Sequence, residues 1–345
     1  MRIEQLTFTR FLAALIIVVF HFGLEVPPFT HPSVSFLFSN VGISYFFVLS
    51  GFVMVVAYSK SGKPIKPGIY FKNRFARVYP VYLLAFLLTL LIMWICYIPI
   101  KTEAIPFNIF MVQSWLPPYT LVINRPGWTL SVEVLFYLSF PCLYNHVYTK
   151  YKLVPIAIAI LAFWLISQMI GSYLLASAWY KADELHHNLL YYFPPLHFNQ
   201  FLMGNLFGLV LLKVYGHFTR NLDLVVVALL AFTAALLKYP VPYANYHDGF
   251  LAILFAVIIL CISLNNGFFT KISNHKSLIF LGEISFGIYI LQIPVYNIVY
   301  KITKPFYYQH TQVFFYVYLV VLILFAAFSF QYIETPLRRW IRRHY

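Results

Sequence analysis

The sequence predicts an all-α integral membrane protein, a bundle of about ten transmembrane helices with both termini cytoplasmic. Three observations predict it. Hydrophobic residues make up 61% of the 345 residues and charged residues only 10%, against roughly 45–50% and about 25% in a soluble domain. Apolar stretches long enough to cross a bilayer, which takes about 20 residues, recur from end to end. Lys and Arg crowd the gaps on one side. A soluble globule could not hide this much apolar surface, so a soluble enzyme, a disordered chain and a secreted disulfide scaffold are excluded. Aromatic residues at 20% suit a chain that crosses membrane interfaces many times. Cys96, Cys142 and Cys261 lie inside apolar stretches and read as small hydrophobes, not as a disulfide framework or metal cluster.

The expected spans are 6–23, 41–58, 79–98, 128–147, 154–171, 197–215, 222–238, 247–264, 278–300 and 312–333. Pro106, Pro117 and Pro118 break the stretch 106–122, which reads as re-entrant or interfacial. The gap from Ser172 to Leu196 is too short to build a core, so residues 1–345 are expected to form a single membrane-embedded domain without an appended soluble one. Glu25-Val26-Pro27-Pro28 after the first span offers no small-x-small cleavage site, so that span is expected to remain in place.

Orientation follows from the basic residues. With the N-terminus inside, seventeen Lys and Arg fall on the cytoplasmic side. They include Arg2, six in the loop 59–77 (Lys60, Lys63, Lys66, Lys72, Arg74, Arg77) and the tail Arg338, Arg339, Arg342 and Arg343. Six fall outside: Lys101, Arg125, Lys181, Lys238, Lys301 and Lys304. This bias favours an even number of spans with both ends inside, and the expected location is the inner, cytoplasmic membrane. It also accounts for the net charge of +14 without any nucleic-acid partner.

Four constellations could carry chemistry. Arg10 and His21 stand in the first span. Eleven steps of about 100° bring them to one helix face, about 16 Å apart along the axis. Each alone reads as structural, Arg10 snorkelling to lipid phosphate and His21 filling a core hydrogen bond. Together, as ionisable groups in a membrane helix, they point to function. Ser50 and Gly51 in the second span read as close helix packing. Arg74 and Arg77, at i and i+3, share a face. They are either a bidentate phosphate clamp or part of the topological charge. Glu133, in Gly127-Trp128-Thr129-Leu130-Ser131-Val132-Glu133, must be paired or neutralised within the bilayer. It could orient His21, hold an acceptor hydroxyl, or pair structurally with an arginine. Glu283 reads as interfacial, the tail arginines as an inside anchor, and Gly204 with Gly208 as a packing motif.

Arg10 and His21 with ten residues between, FFVLSGF at 46–52, RFARVYP at 74–80, GWTLSVEVLFY at 127–137, LGEISFGIYILQIPV at 281–295 and ETPLRR at 334–339 follow in order. Over nearly the whole chain this resembles the acyltransferase 3 family of integral membrane acyltransferases. The resemblance implies a cytoplasmic acyl-CoA donor, acetyl-CoA foremost. It also implies O-acylation of an extracytoplasmic carbohydrate, such as a surface polysaccharide or its lipid-linked precursor, with glycan-assembly proteins as further partners. It maps the catalytic pair to His21 and Glu133, donor binding to Arg10, Arg74 and Arg77, and acceptor binding to Trp128 and Ser131. One departure stands out: members often carry histidine before the Pro of the ninth span, where this chain has Gln292. Gln hydrogen-bonds but does not transfer protons at neutral pH. Some members also carry an esterase-like soluble domain, whose acyl handover would here need a separate partner.

The residue chemistry is consistent with this. A thioester is already activated, so no metal is expected. A hydroxyl acceptor needs a base, and histidine suits that task near neutral pH. His21 as base and His21 as transient acyl carrier are both open at this level. The alternative class is a transporter or flippase for a lipid-linked glycan or small anion, which also uses intramembrane Arg, His and Glu.

Overall fold

The computed structural model describes residues 3–59, 63–181, 183–214 and 220–344. Arg2 and Lys60 of the basic tally lie outside them. Among the described residues there are helices and turns but no strand. Six helices among the described residues are long and apolar enough to cross a membrane. They are α1 (Gln5–Phe22), α2 (Val41–Ser59), α3 (Pro67–Ile95), α5 (Leu153–Ala176), α9 (Lys276–Gln309) and the run formed by α10 (Thr311–Ser329) with α11 (Thr335–His344).

The other four expected spans are helical as well, but shorter. These are α4 (Trp128–Leu143), α6 (Phe198–Val214), α7 (Asp223–Lys238) and α8 (Ala252–Leu264), of 16, 17, 16 and 13 residues. Among the described residues, six of the ten expected spans thus qualify by length and apolarity, and α6 ends where those residues stop. At α8 the shortening has a local cause. Apolar loop residues such as Phe250 and Leu251 extend a hydropathy stretch, but here they belong to turns ahead of the helix. The break-up of 106–122 occurs as its prolines dictate, into the short helix Ala104–Ile109 and two 3-10 turns.

The helix α3 begins twelve residues before the expected span, with Pro67 in its first turn, where a missing N–H costs nothing. Residues 67–77 are thus helix, not loop, and Arg74 and Arg77 project from a membrane helix. Pro80 lies within it. In α4, Pro141 lies three residues before a π-helical turn, Tyr144–Tyr148. The loss of one backbone donor at proline makes such a local adjustment understandable.

Close helix contacts rest on glycine. A Cβ on Gly51 of α2 would collide with the Phe201 carbonyl of α6, and one on Gly204 with the Val48 carbonyl. The two helices therefore touch backbone to backbone, as the small-residue spacing predicts. Gly282 lets α9 approach the Thr7 carbonyl of α1 in the same way. At the other end of α1, Phe22 stacks on Tyr296 with centroids 4.3 Å apart and meets Tyr318 edge-on at 5.3 Å. Helix α1 is thereby held between α9 and α10, and Arg10 and His21 keep fixed heights.

Candidate active site

Three cavities meet α1 at Arg10, which lines all of them. The largest, about 400 Å³, opens at the end where α1 starts and α11 finishes. Ile3, Arg338 and Arg342 line it, together with Arg77, Glu283 and Glu334. A second, of about 90 Å³, adds Arg74, Glu133, Tyr137 and Ser50. A third, of about 50 Å³, reaches Thr129 and Tyr289. Phe286 walls all three. Arg10 and Phe286 are thus common to three cavities whose linings run from Ile3 at one end of the bundle to Tyr289.

Tyr289 lies one helical turn before Gln292, and Gln292 is the partner of His21. The Gln292 side-chain NH2 donates to the Tyr289 carbonyl at 2.7 Å, which turns its Oε1 towards His21. His21 Nδ1 lies 2.8 Å from that oxygen. An amide oxygen only accepts, so Nδ1 carries the proton and the neutral ring keeps its lone pair on Nε2. Gln292 is fully buried, whereas His21 is exposed at the far end of α1. The Tyr318 hydroxyl donates to the Gln292 carbonyl at 3.1 Å, fixing the same turn from α10. Sequence reasoning noted Gln292 only as a departure from a pattern. Its 271-residue separation from His21 left no local signal of the contact.

Glu133 does not orient His21. Its Oε2 accepts from the Tyr137 hydroxyl at 2.6 Å, and it faces Arg10, Arg74 and Arg77 across the second cavity. The two arginines of α3 differ in setting. Arg74 lies among Tyr58, Tyr70 and Tyr137, with its guanidinium carbon 5.6, 5.7 and 5.7 Å from the ring centroids. Such a cage holds a cation by its ring faces. Arg77 faces both the large and the second cavity. Glu283, expected to be interfacial, lines the large cavity. So do Arg338 and Arg342, expected to be a simple anchor. Their i,i+4 spacing puts both on one face of α11.

Trp128 and Ser131 line none of these cavities. Trp128 is 4% exposed, with the rings of His197 and His247 each 5.2 Å away and Tyr192 at 4.9 Å. The Ser131 hydroxyl accepts from Ser114 N at 3.3 Å, and the Ser114 hydroxyl donates to the Trp128 carbonyl at 3.1 Å. Both residues pin the segment before α4 to that helix. Beside Trp128, His197, His247 and Asp248 bring metal-type donor atoms within 4.8 Å of one another. Those atoms already have partners. His197 bonds the Tyr191 carbonyl and the Gln200 amide, and Asp248 bonds His247 and Asn245. The group reads as a hydrogen-bonded clasp between the 245–249 turn and α6.

Long apolar helices around cavities that share Arg10 define a multi-pass membrane protein. The family model described as an acyltransferase domain matches residues 3–332. The chain belongs to this acyltransferase 3 family. It is 35% identical over 113 residues to the acyltransferase MdmB of Streptomyces mycarofaciens, covering 31% of this chain and 28% of that protein. It is 24% identical over 333 residues to the O-acetyltransferase OatA of Staphylococcus aureus, covering 87% of this chain and 52% of that one. It is also similar to protein 2 of the picA locus of Rhizobium radiobacter, at 32% over 118 residues, covering 28% of this chain and 62% of the relative. The chain thus spans less than two thirds of the length of each. No solved structure matches it.

Proposed function

We propose that the chain is a membrane O-acyltransferase that moves an acyl group, acetyl in the simplest case, from cytoplasmic acyl-CoA to a hydroxyl of an extracytoplasmic carbohydrate. The acceptor is a surface polysaccharide or lipid-linked glycan, and the membrane is the inner one. One observation carries this reading: the cavities that share Arg10 end at Tyr289, one turn from the Gln292 that holds His21.

In this reading the large cavity receives the donor. Arg77, Arg338 and Arg342 meet the nucleotide phosphates near the mouth, and guanidinium forks suit them. Arg10 and Arg74 line the path of the pantetheine arm, and Glu133 with Tyr137 keeps their charges balanced. The thioester arrives near the outer end of α1. The acceptor hydroxyl gives its proton to His21 Nε2 as its oxygen bonds to the thioester carbon. The C–S bond then breaks, and the thiolate takes the proton from the imidazolium. Trp128 and Ser131 hold the wall against which the acceptor rests.

The test is His21→Gln, assayed as the acyl content of surface glycan by mass spectrometry, normalised to membrane protein level. General-base catalysis is worth about 10²–10⁴-fold, and a fall of that size is expected with the amount of glycan unchanged. A change in glycan amount with normal acyl content indicates transport instead. Near-normal acylation removes His21 from the chemistry.

A further inference from the structure

The third of the cavities that share Arg10 is the smallest, about 50 Å³. One water fills roughly 10–15 Å³ of such space, so this cavity takes about three to five water-sized groups. An acetyl thioester brings four: the methyl, the carbonyl carbon, the carbonyl oxygen and the sulfur. A butyryl thioester brings six.

The lining has two sides. Ile43, Phe46, Phe47, Leu130 and Phe286 form an apolar one. On the polar side, Thr129 and Tyr289 both donate their hydroxyls to the Pro126 carbonyl, at 2.9 and 3.3 Å, and Arg10 brings guanidinium N–H groups. A short chain with one carbonyl oxygen matches this division. Its methyl meets the rings, and its oxygen accepts from the guanidinium.

The apolar walls are held from behind. Ile43, Phe47 and Leu130 are buried. The Phe47 ring has the rings of Phe136 and His197 each 5.3 Å away and meets Trp128 edge-on at 6.0 Å. The Ser44 hydroxyl donates to the His247 carbonyl at 2.9 Å, which fixes the turn of α2 that carries Phe46 and Phe47. Walls packed this closely do not open for further methylenes without strain. Phe46 differs from its neighbours. It is only partly buried, lies against Tyr289 with centroids 6.2 Å apart, and also borders the second cavity. It is the wall that can be cut back without emptying the core.

We propose that this cavity measures the acyl chain of the donor: it admits an acetyl group and excludes chains of four carbons or more, with Phe46 as the wall that sets the limit. The assignment rests on the acyltransferase reading for the donor and adds the residue that selects the acyl group.

The full chain in nanodiscs is titrated with acetyl-CoA and with butyryl-CoA. The parent should bind butyryl-CoA about tenfold or more weakly, the scale on which a fitted apolar pocket discriminates by methylene groups. Phe46→Ala should close that gap by binding butyryl-CoA more tightly. Phe46→Leu, which removes less volume, should narrow it, and it carries the test if Phe46→Ala fails to fold. Val53→Ala enlarges the first two cavities and not the third, so its ratio should equal that of the parent. A parent that binds both donors equally, a gap that survives in the folded Phe46 variants, or a gap that Val53→Ala closes as well overturns the assignment. The acetyl content of surface glycan, read by mass spectrometry in the parent strain, separates the two ways of failing. Acetylated glycan with equal donor binding overturns the acyl limit alone. No binding of either donor overturns it together with the donor reading.

Discussion

His21 Nδ1 and Gln292 Oε1 stand 2.8 Å apart, joining the C-terminal end of α1 to α9. The contact makes Gln292 the orienter of the imidazole. A neutral amide oxygen fixes the tautomer without adding charge. In the proposed mechanism that leaves Nε2 as the proton acceptor.

Gln292→Leu should therefore slow acyl transfer by about tenfold, the worth of one hydrogen bond of roughly 1 kcal/mol or somewhat more. Gln292→Glu, which keeps an acceptor at that point, should retain more activity than Gln292→Leu. Turnover per folded protein is the measurement. Equal losses in both variants would mean that Gln292 serves packing and not the ring.

Arg74 and Arg77 should separate experimentally, although they are three residues apart. Arg77→Gln should raise the KM for acyl-CoA several-fold, because its guanidinium faces the large cavity. Arg74→Gln empties a cage of three tyrosines and should lower the melting temperature, at a cost of about 1–2 kcal/mol. Donor titration and thermal unfolding in detergent, run on both variants, decide it.

The tail arginines give a face-specific prediction. Arg338→Gln with Arg342→Gln should weaken the donor, since both line the large cavity. Arg339→Gln with Arg343→Gln removes the same charge from residues outside that lining and should leave donor KM unchanged. A matched loss in both pairs returns the tail to a purely topological role.

Gly204→Val should destabilise the bundle more than most single changes, because its Cβ would strike the Val48 carbonyl. Backbone cannot yield as a side-chain tip can, so the overpacking cost should meet or exceed the usual range of about 1–3 kcal/mol. Gly68→Val, with open space around its Cβ position, is the control. Thermal unfolding reads both.

Orientation can be read directly. Reporter fusions at Lys63 and after Arg343 should both report the cytoplasmic side, and one at Lys181 the opposite side. An outside signal from either of the first two reverses the proposed donor and acceptor faces together.

The sequence by itself determined the all-helical membrane class, because 61% apolar residues leave no aqueous alternative. It determined that Arg10 and His21 belong to one helix, through spacing alone, and that Gly204 marks a close contact, through a repeat of small residues. These are local properties, carried by residues a few turns apart. The tertiary structure alone decided the partners. Gln292 meets His21 across 271 residues, Glu133 turns to Tyr137 and away from His21, and α11 brings Arg338 and Arg342 to the cavity that starts at Ile3. It also leaves Trp128 and Ser131 outside the linings of the three cavities that share Arg10. Helix periodicity says which residues share a face. Only the packing of one helix against another says what that face meets.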